Sequence, residues 1–381
     1  MFKRFLATVL LLAMVVAVMA SCKNESTAKN EFLIGGIGPL TGSAATYGTS
    51  VKNAAQLAID EINENGGVNG MLLKLNFQDD ANNPEKAVNA YNTLMDAGMK
   101  VLLGTVTSQP CIAVVEESHK DGILQITPSG SAVDCIKYDN AFRICFNDPD
   151  QGTASATYIA ENLDVKKIGV IYDKSNVYST GIFEKFKAAA KEKGLEIVSE
   201  QAFTDQSNTD FSVQLQNIRE SGAELIFIPV YYQEAAYILT QANQAGMSIP
   251  FFGCDGLDGI IPQLGDNAQI AEGVMLLTPF AADAQDEKTQ KFVKAYKEKY
   301  GSIPDQFAAD AYDGIYTIAE AIKKAGVTSP DDPDLNQKLI DAMTKIEVKG
   351  LTGTMTWDAS GEPKKEPKAV KIVNGAYKSM Q

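Results

Sequence analysis

Histidine is nearly missing: one occurs in 381 residues, alongside one tryptophan and five cysteines. A Ser-His-Asp triad has only His119 to draw on, and a histidine-rich metal centre has no ligand set. His119 sits in Glu116-Glu117-Ser118-His119-Lys120, a polar stretch that reads as solvated helix surface. No CxxC or Cys/His cluster marks a zinc site. Basic charge is also short. Against 48 Asp+Glu stand 34 Lys+Arg, a formal charge of −14. Such a surface repels phosphate backbones and argues against a general nucleic-acid binder. The one long apolar run, Phe5 to Ala20, has sixteen residues, fewer than the ~20 of a membrane-spanning helix. The rest is ordinary for a folded protein, with 45% hydrophobic and 22% charged residues, 30 Gly and 14 Pro. That excludes collagen, a disulfide knot and wholesale disorder.

Lys3 and Arg4, the apolar run and the small residues that end it read as a secretory signal over residues 1–21. Met19-Ala20-Ser21-Cys22 resembles a lipobox, the site where bacterial lipoproteins are cut and acylated on the new terminal Cys, with Met19 in place of the usual Leu. The expectation is an extracytoplasmic protein, lipid-anchored through Cys22, with polar residues 22–30 as its tether. Cys111, Cys135, Cys145 and Cys254 remain. That compartment permits disulfides, and Cys135–Cys145 is the preferred bridge across a short loop. Buried free thiols are the alternative, because spacing alone does not establish Cα geometry.

Short apolar runs alternate with helical patterns. Phe32–Ile37 reads as a strand, and Tyr47–Glu64 as a helix with Val51, Ala54, Ala55, Ala58, Ile59 and Ile62 on one stripe. Strand Leu72–Phe77, helix Pro84–Ala97, strand Val101–Leu103, helix Pro110–Lys120 and strand Ile123–Ile126 follow. The order then recurs: strand Ile168–Tyr172, helix Gly181–Lys193, strand Leu195–Ala202, helix Phe211–Ser221, strand Leu225–Ile228, helix Glu234–Ala245 and strand Ile249–Phe252. Uninterrupted apolar strands joined by helices imply parallel sheets buried on both faces. The fold class is therefore α/β, two doubly wound, flavodoxin-like lobes. Strand Val274–Leu277, helices 286–300, 307–324 and 334–344, and strands Thr354–Trp357 and Ala369–Ile372 are too few for a third domain. The tail is expected to return and complete both lobes, so that several crossings form a hinge beside a cleft.

Two local patterns fail. Gly36-Ile37-Gly38-Pro39-Leu40-Thr41-Gly42 superficially matches a dinucleotide loop, but Pro39 removes an N–H and the acidic pair Asp79-Asp80 lies about forty residues on rather than ~20. Asp173–Glu184 has the length of a calcium loop, but Tyr178 stands where glycine is required. Asp79, Asp80, Asp255 and Asp258 have no partner histidine for acid–base chemistry. The strand ends are more informative. One unit offers Tyr47 with Gly48, Thr107-Ser108 and Ser129-Gly130-Ser131; the other Tyr178, Tyr231-Tyr232 and Asp255-Gly256. Ligands of open parallel sheets bind beyond the carboxyl ends of the strands. Hydroxyls and N–H groups there suit a carboxylate, Asp255 an ammonium, and tyrosines an apolar side chain.

The run Pro39-Leu40-Thr41-Gly42-Ser43-Ala44-Ala45-Thr46-Tyr47-Gly48 resembles the opening of periplasmic branched-chain amino-acid-binding proteins, the type I solute-binding class. Ala58-Ile59-Asp60-Glu61-Ile62-Asn63, Ile126-Thr127-Pro128-Ser129, Phe142-Arg143, Asp150-Gln151-Gly152, Tyr178 with Gly181, and Thr356-Trp357-Asp358 follow in the same order. The resemblance implies two lobes, 31–145 plus 279–355 and 146–278 plus 356–381, joined by a three-strand hinge. It also implies that Ser108, Ser129 and Ser131 hold the ligand carboxylate and that Asp255 meets the ammonium in place of the family's frequent Glu. Tyr178 and Tyr231 would cap the ligand, while Tyr47, Val106, Thr107 and Phe307 would line its side-chain pocket. The family's disulfide positions hold Asn82 and Thr107. The implied function is an ABC importer's receptor that captures an aliphatic L-amino acid, a monomer without cofactor or metal whose partners are the permease subunits. A sensory receptor of the same fold, a receptor for another amino acid or amide, and a secreted α/β enzyme are the rival readings.

Overall fold

In the computed structural model, residues 30–380 are described; the signal segment, Cys22 and the tether up to residue 29 lie outside them. Elements alternate from the start: β1 (Glu31–Gly38), α1 (Ala45–Glu64), β2 (Leu72–Asp79), α2 (Pro84–Asp96), β3 (Val101–Gly104), α3 (Ser108–Lys120), β4 (Gln125–Thr127) and β5 (Ala141–Arg143). These strands form one parallel sheet in the order β2-β1-β3-β4-β5. The second unit follows with α4 (Asp148–Asn162), β6 (Lys167–Asp173), α5 (Val177–Glu192), β7 (Glu196–Phe203), α6 (Ser212–Ser221), β8 (Leu225–Ile228), α7 (Tyr232–Gln244), β9 (Phe251–Gly253), α8 (Ile260–Leu264) and β10 (Met275–Thr278). The tail holds α9 (Glu287–Tyr300), α10 (Gln306–Ala325), α11 (Leu335–Met343), a hairpin of β11 (Glu347–Lys349) and β12 (Thr354–Thr356), then β13 (Lys368–Val373) and β14 (Ala376–Ser379). The second sheet runs β14-β13-β10-β9-β8-β6-β7, with β13 antiparallel to β10 and to β14.

Every residue of β3, β4, β8 and β10 is buried, as parallel strands covered by helices on both faces require. The six stripe residues of α1 are buried and face α10, whose apolar positions run from Phe307 to Ile322. Asn83, Asn147, Asn176 and Asp305 each cap the helix that follows by accepting a backbone N–H, which satisfies donors that the first turn leaves free. Gly301, at φ 78°, ends α9 in the left-handed region that favours glycine.

The chain passes between the two sheet units through residues 144–147, 279–286 and 357–367. Helix α4 has no counterpart in the sequence reading, because Ala156 and Ile159 are its only buried apolar side chains. Helices α3 and α5 begin at Ser108 and Val177 rather than Pro110 and Gly181. This places Ser108 and Tyr178 in first turns, at the helix ends that favour anions.

The expected Cys135–Cys145 bridge is corrected: all four cysteines are free and buried. Cys135 turns toward α3, where its thiol donates to Ser108 O at 3.6 Å and its own carbonyl accepts from the Cys111 thiol at 3.8 Å. Cys145 lies beyond β5, with its amide on Pro128 O. His119 is half-exposed and stacks on Tyr138 with centroids 3.9 Å apart, a surface position. Among the described residues, no helix is long and apolar enough to cross a membrane.

Candidate functional site

The loop after β1 is fixed by Asp79, at the end of β2. Its carboxylate accepts N–H groups from Leu40 at 2.8 Å and Thr41 at 3.3 Å, and the Thr41 hydroxyl at 2.6 Å. The loop delivers Tyr47 to the first turns of α1. Its ring stacks on Phe307 at 4.1 Å and meets Tyr231 and Tyr232 edge-on at 5.5 and 4.8 Å. Its hydroxyl donates to Gly256 O at 2.5 Å and accepts from Tyr232 N at 3.1 Å. A first-unit side chain thus bonds the backbone of the second unit.

Ser108 starts α3, and its Oγ accepts from Ala132 N at 3.2 Å. The Ser129 hydroxyl donates to Val106 O at 2.6 Å. Thr107 Oγ1 is buried without a hydrogen-bond partner. The loop 129–132 is held from behind by Arg143, the largest fully buried side chain. Its guanidinium donates to Gly130 O at 3.2 Å, Ser131 O at 2.5 Å and Ala132 O at 3.0 Å. Glu362 lies 3.1 Å from its Nε. The only tryptophan, Trp357, donates Nε1 to Arg143 O at 2.8 Å.

Across the gap, Tyr178 donates its hydroxyl to Asp255 Oδ1 at 2.7 Å and accepts from Gly256 N at 2.9 Å. Asp255 N donates to Gln151 at 3.3 Å, and Gln306 Nε2 donates to Asp255 O at 3.0 Å. Burial pushes Asp255 up to about 6, against the downward pull of the Tyr178 hydroxyl and Gly256 N–H. Asp148 is buried too, and neither of its carboxylate oxygens has a hydrogen-bond partner; burial raises its pKa well above the ordinary value. A buried carboxylate is costly unless paired. Asp255 faces the gap, and neither carboxylate has an ion-pair partner among the described residues.

Tyr47, Val106, Thr107, Ser108, Ser129, Ser131, Tyr178, Tyr231, Asp255 and Phe307 border one tightly closed void of about 10 Å³, together with Gly256. Gly130 does not border it: its amide is taken by Thr127 Oγ1 at 2.7 Å and its carbonyl by Arg143. Sequence reading assigns no role to Asp148, Gln151 and Gln306. Asp150-Gln151-Gly152 is legible as a motif, but nothing in the local pattern marks Asp148 as buried. Asp79 and Asp80 are structural. Asp80 is buried and pushed up to about 7, with Oδ1 on Asn82 N at 2.8 Å.

Tyr178→Phe removes the hydroxyl that both supports Asp255 and anchors Gly256. A hydrogen bond to a charged group is worth about 1.5–3 kcal/mol, so ligand affinity should fall roughly ten- to hundredfold. Stopped-flow release rates check this; an unchanged off-rate would remove Tyr178 from the site.

Two parallel sheets whose strand ends face each other across a small polar gap define a two-lobed binding protein for a small molecule. The chain belongs to the periplasmic binding protein family, whose model matches residues 31–374. It is 32% identical over 353 residues to "Leu/Ile/Val-binding protein homolog 3" of Brucella melitensis, covering 91% of this chain and 92% of that one. It is 31% identical over 355 residues to the "Leucine-, isoleucine-, valine-, threonine-, and alanine-binding protein" of Pseudomonas aeruginosa, covering 92% and 91%. Among solved structures, the branched-chain amino acid transporter substrate-binding protein LivJ of Streptococcus pneumoniae, in complex with isoleucine, superposes with a TM-score of 0.83. It is 29% identical, with 91% of this chain and 97% of that one covered. A benzoate-bound solute-binding protein of Rhodopseudomonas palustris reaches the same score at 20% identity, covering 92% and 95%, which shows the fold alone.

Proposed function

We propose that the protein is the extracytoplasmic receptor of an ABC importer, lipid-anchored through Cys22, that closes two lobes on an aliphatic L-amino acid. The observation that carries this reading is Asp255: a buried carboxylate with no cation against it, opposite the hydroxyls of Ser108, Ser129 and Ser131. An α-ammonium neutralises that carboxylate, and the helix end at Ser108 receives the α-carboxylate. Tyr178, Tyr231, Tyr47 and Phe307 enclose the side chain. Because its walls come from both units, the ligand favours the arrangement in which they meet. The small void and the short Asp255 side chain favour valine, threonine or alanine over leucine. The Pseudomonas relative is named for threonine and alanine as well as the branched-chain set.

Titration calorimetry with leucine, isoleucine, valine, threonine and alanine tests the proposal. Micromolar binding, about −8 kcal/mol, is expected for at least one; silence with all five would sink it. The pH dependence has a fixed sign. Asp255 is raised to about 6 and must be ionised to hold an ammonium. Affinity therefore holds above that value and weakens as pH falls through it, approaching about tenfold per unit. Tighter binding in acid would contradict the pairing.

A further inference from the structure

A second cavity, of about 460 Å³, lies on the other side of the Asp255–Asp258 loop. Its lining is mostly apolar. Ile261 and Leu276 come from the seven-stranded unit, and Phe280, Val293 and Ile303 from the segments that return to the first unit. Ile303 is 58% exposed at its mouth. Two carboxylates from opposite sides form part of its wall. Asp258 is buried; Oδ2 accepts from Gln306 N at 2.9 Å, and Oδ1 has no hydrogen-bond partner. Asp305 caps α10, with Oδ1 on Ala308 N at 2.9 Å and Oδ2 on the Ser50 hydroxyl at 2.6 Å. Neither has an ion-pair partner among the described residues. The one basic side chain bordering the cavity, Lys378, lies toward Asp283 at 4.0 Å.

We propose that this cavity is a second ligand site, taking a small organic ammonium without a carboxylate, its charge against Asp258 and Asp305 and its hydrocarbon body along Ile261, Leu276, Phe280 and Val293. An apolar chamber with a few convergent polar groups is the ordinary form of a small-molecule site. Here those groups are of one sign, so charge decides what enters. A monocation offsets one of the two charges and satisfies the free Asp258 oxygen, whereas an anion meets two carboxylates. Burial raises the pKa of both acids, and for Asp305 repulsion from Asp258 adds to it, the signature of charges that lack a counter-ion. Amino acids are excluded because their own carboxylate would meet the same repulsion.

The site is structurally tied to the cleft. Gln306 donates its backbone N–H to Asp258 and its side chain to Asp255 O, while its Oε1 accepts from Thr278. Resting on the two-lobe reading above, an occupant that touches both units and the cleft's ligand favour the same arrangement. Each then tightens the other by the same factor.

The test uses n-hexylamine, with hexanoate as the anionic control, titrated calorimetrically into the purified protein. Saturable binding of the amine and none of hexanoate is expected. Asp258→Asn keeps an acceptor for Gln306 N but removes the charge, and should cost at least tenfold in amine affinity. Ala282→Phe, which fills the cavity from its rim, should abolish binding. Asp255→Ala should retain it, which separates this site from the cleft whether or not an amino acid binds there. No saturable amine binding, equal binding of hexanoate, indifference to both Asp258→Asn and Ala282→Phe, or loss in Asp255→Ala would each overturn the proposal.

Discussion

Asp255→Ala is expected to lose roughly 30- to 5,000-fold in amino-acid affinity while leaving the unliganded protein as stable as before. The first half follows from charge pairing. Truncating one partner of a buried, hydrogen-bonded charge pair costs about 2–5 kcal/mol, because the ligand's ammonium is then desolvated against nothing of opposite sign. The second half follows from the empty site. Asp255 is buried and raised to about 6, so its ionised form strains the unliganded protein; removing it relieves that cost. The Tyr178 hydroxyl loses its acceptor, which offsets part of the gain. Calorimetry and thermal melts on one preparation check both halves. Wild-type affinity, or loss of binding together with a large drop in melting temperature, would contradict the assignment.

Arg143→Ala should have the opposite profile, with stability lost first and binding lost as a consequence. Its guanidinium is fully buried and donates to three consecutive carbonyls, Gly130 O, Ser131 O and Ala132 O, beside Glu362. Removing one partner of a buried ion pair costs about 3–5 kcal/mol, and each carbonyl left without a donor adds to it. The loop carrying Ser129 and Ser131 then has no backing. Arg143→Lys should rescue little, since one ammonium cannot reproduce the planar fork. Urea unfolding measures the loss; a midpoint within error of wild type would show that the loop is held by other means.

What the sequence revealed depended on how locally each feature is written. Leu102, Leu103, Ile226 and Phe227 announce their strands because parallel strands buried on both faces read as apolar runs. The helix stripe Val51 to Ile62 is equally legible, since 3.6-residue spacing needs no partner to be seen. Ser108, Tyr178 and Asp255 were legible as strand-end residues, and the structure gathers them around one void. Helix α4 was not, because it buries only two apolar side chains and what covers it lies in no local window. The Cys135–Cys145 pairing failed for the same reason. Closeness in sequence says nothing about which way two thiols turn, and Cys135 turns toward Cys111. The tyrosine bridge from Tyr47 to Gly256 spans both units and could only be seen in three dimensions.

The central claim is that the cleft reads both ends of a dipolar molecule. Parallel calorimetric titrations with L-valine and with 3-methylbutanoate, the same skeleton without its ammonium, test it most directly. Micromolar binding of valine and no measurable heat from the acid are expected. Equal binding of the two would mean that Asp255 meets no ammonium.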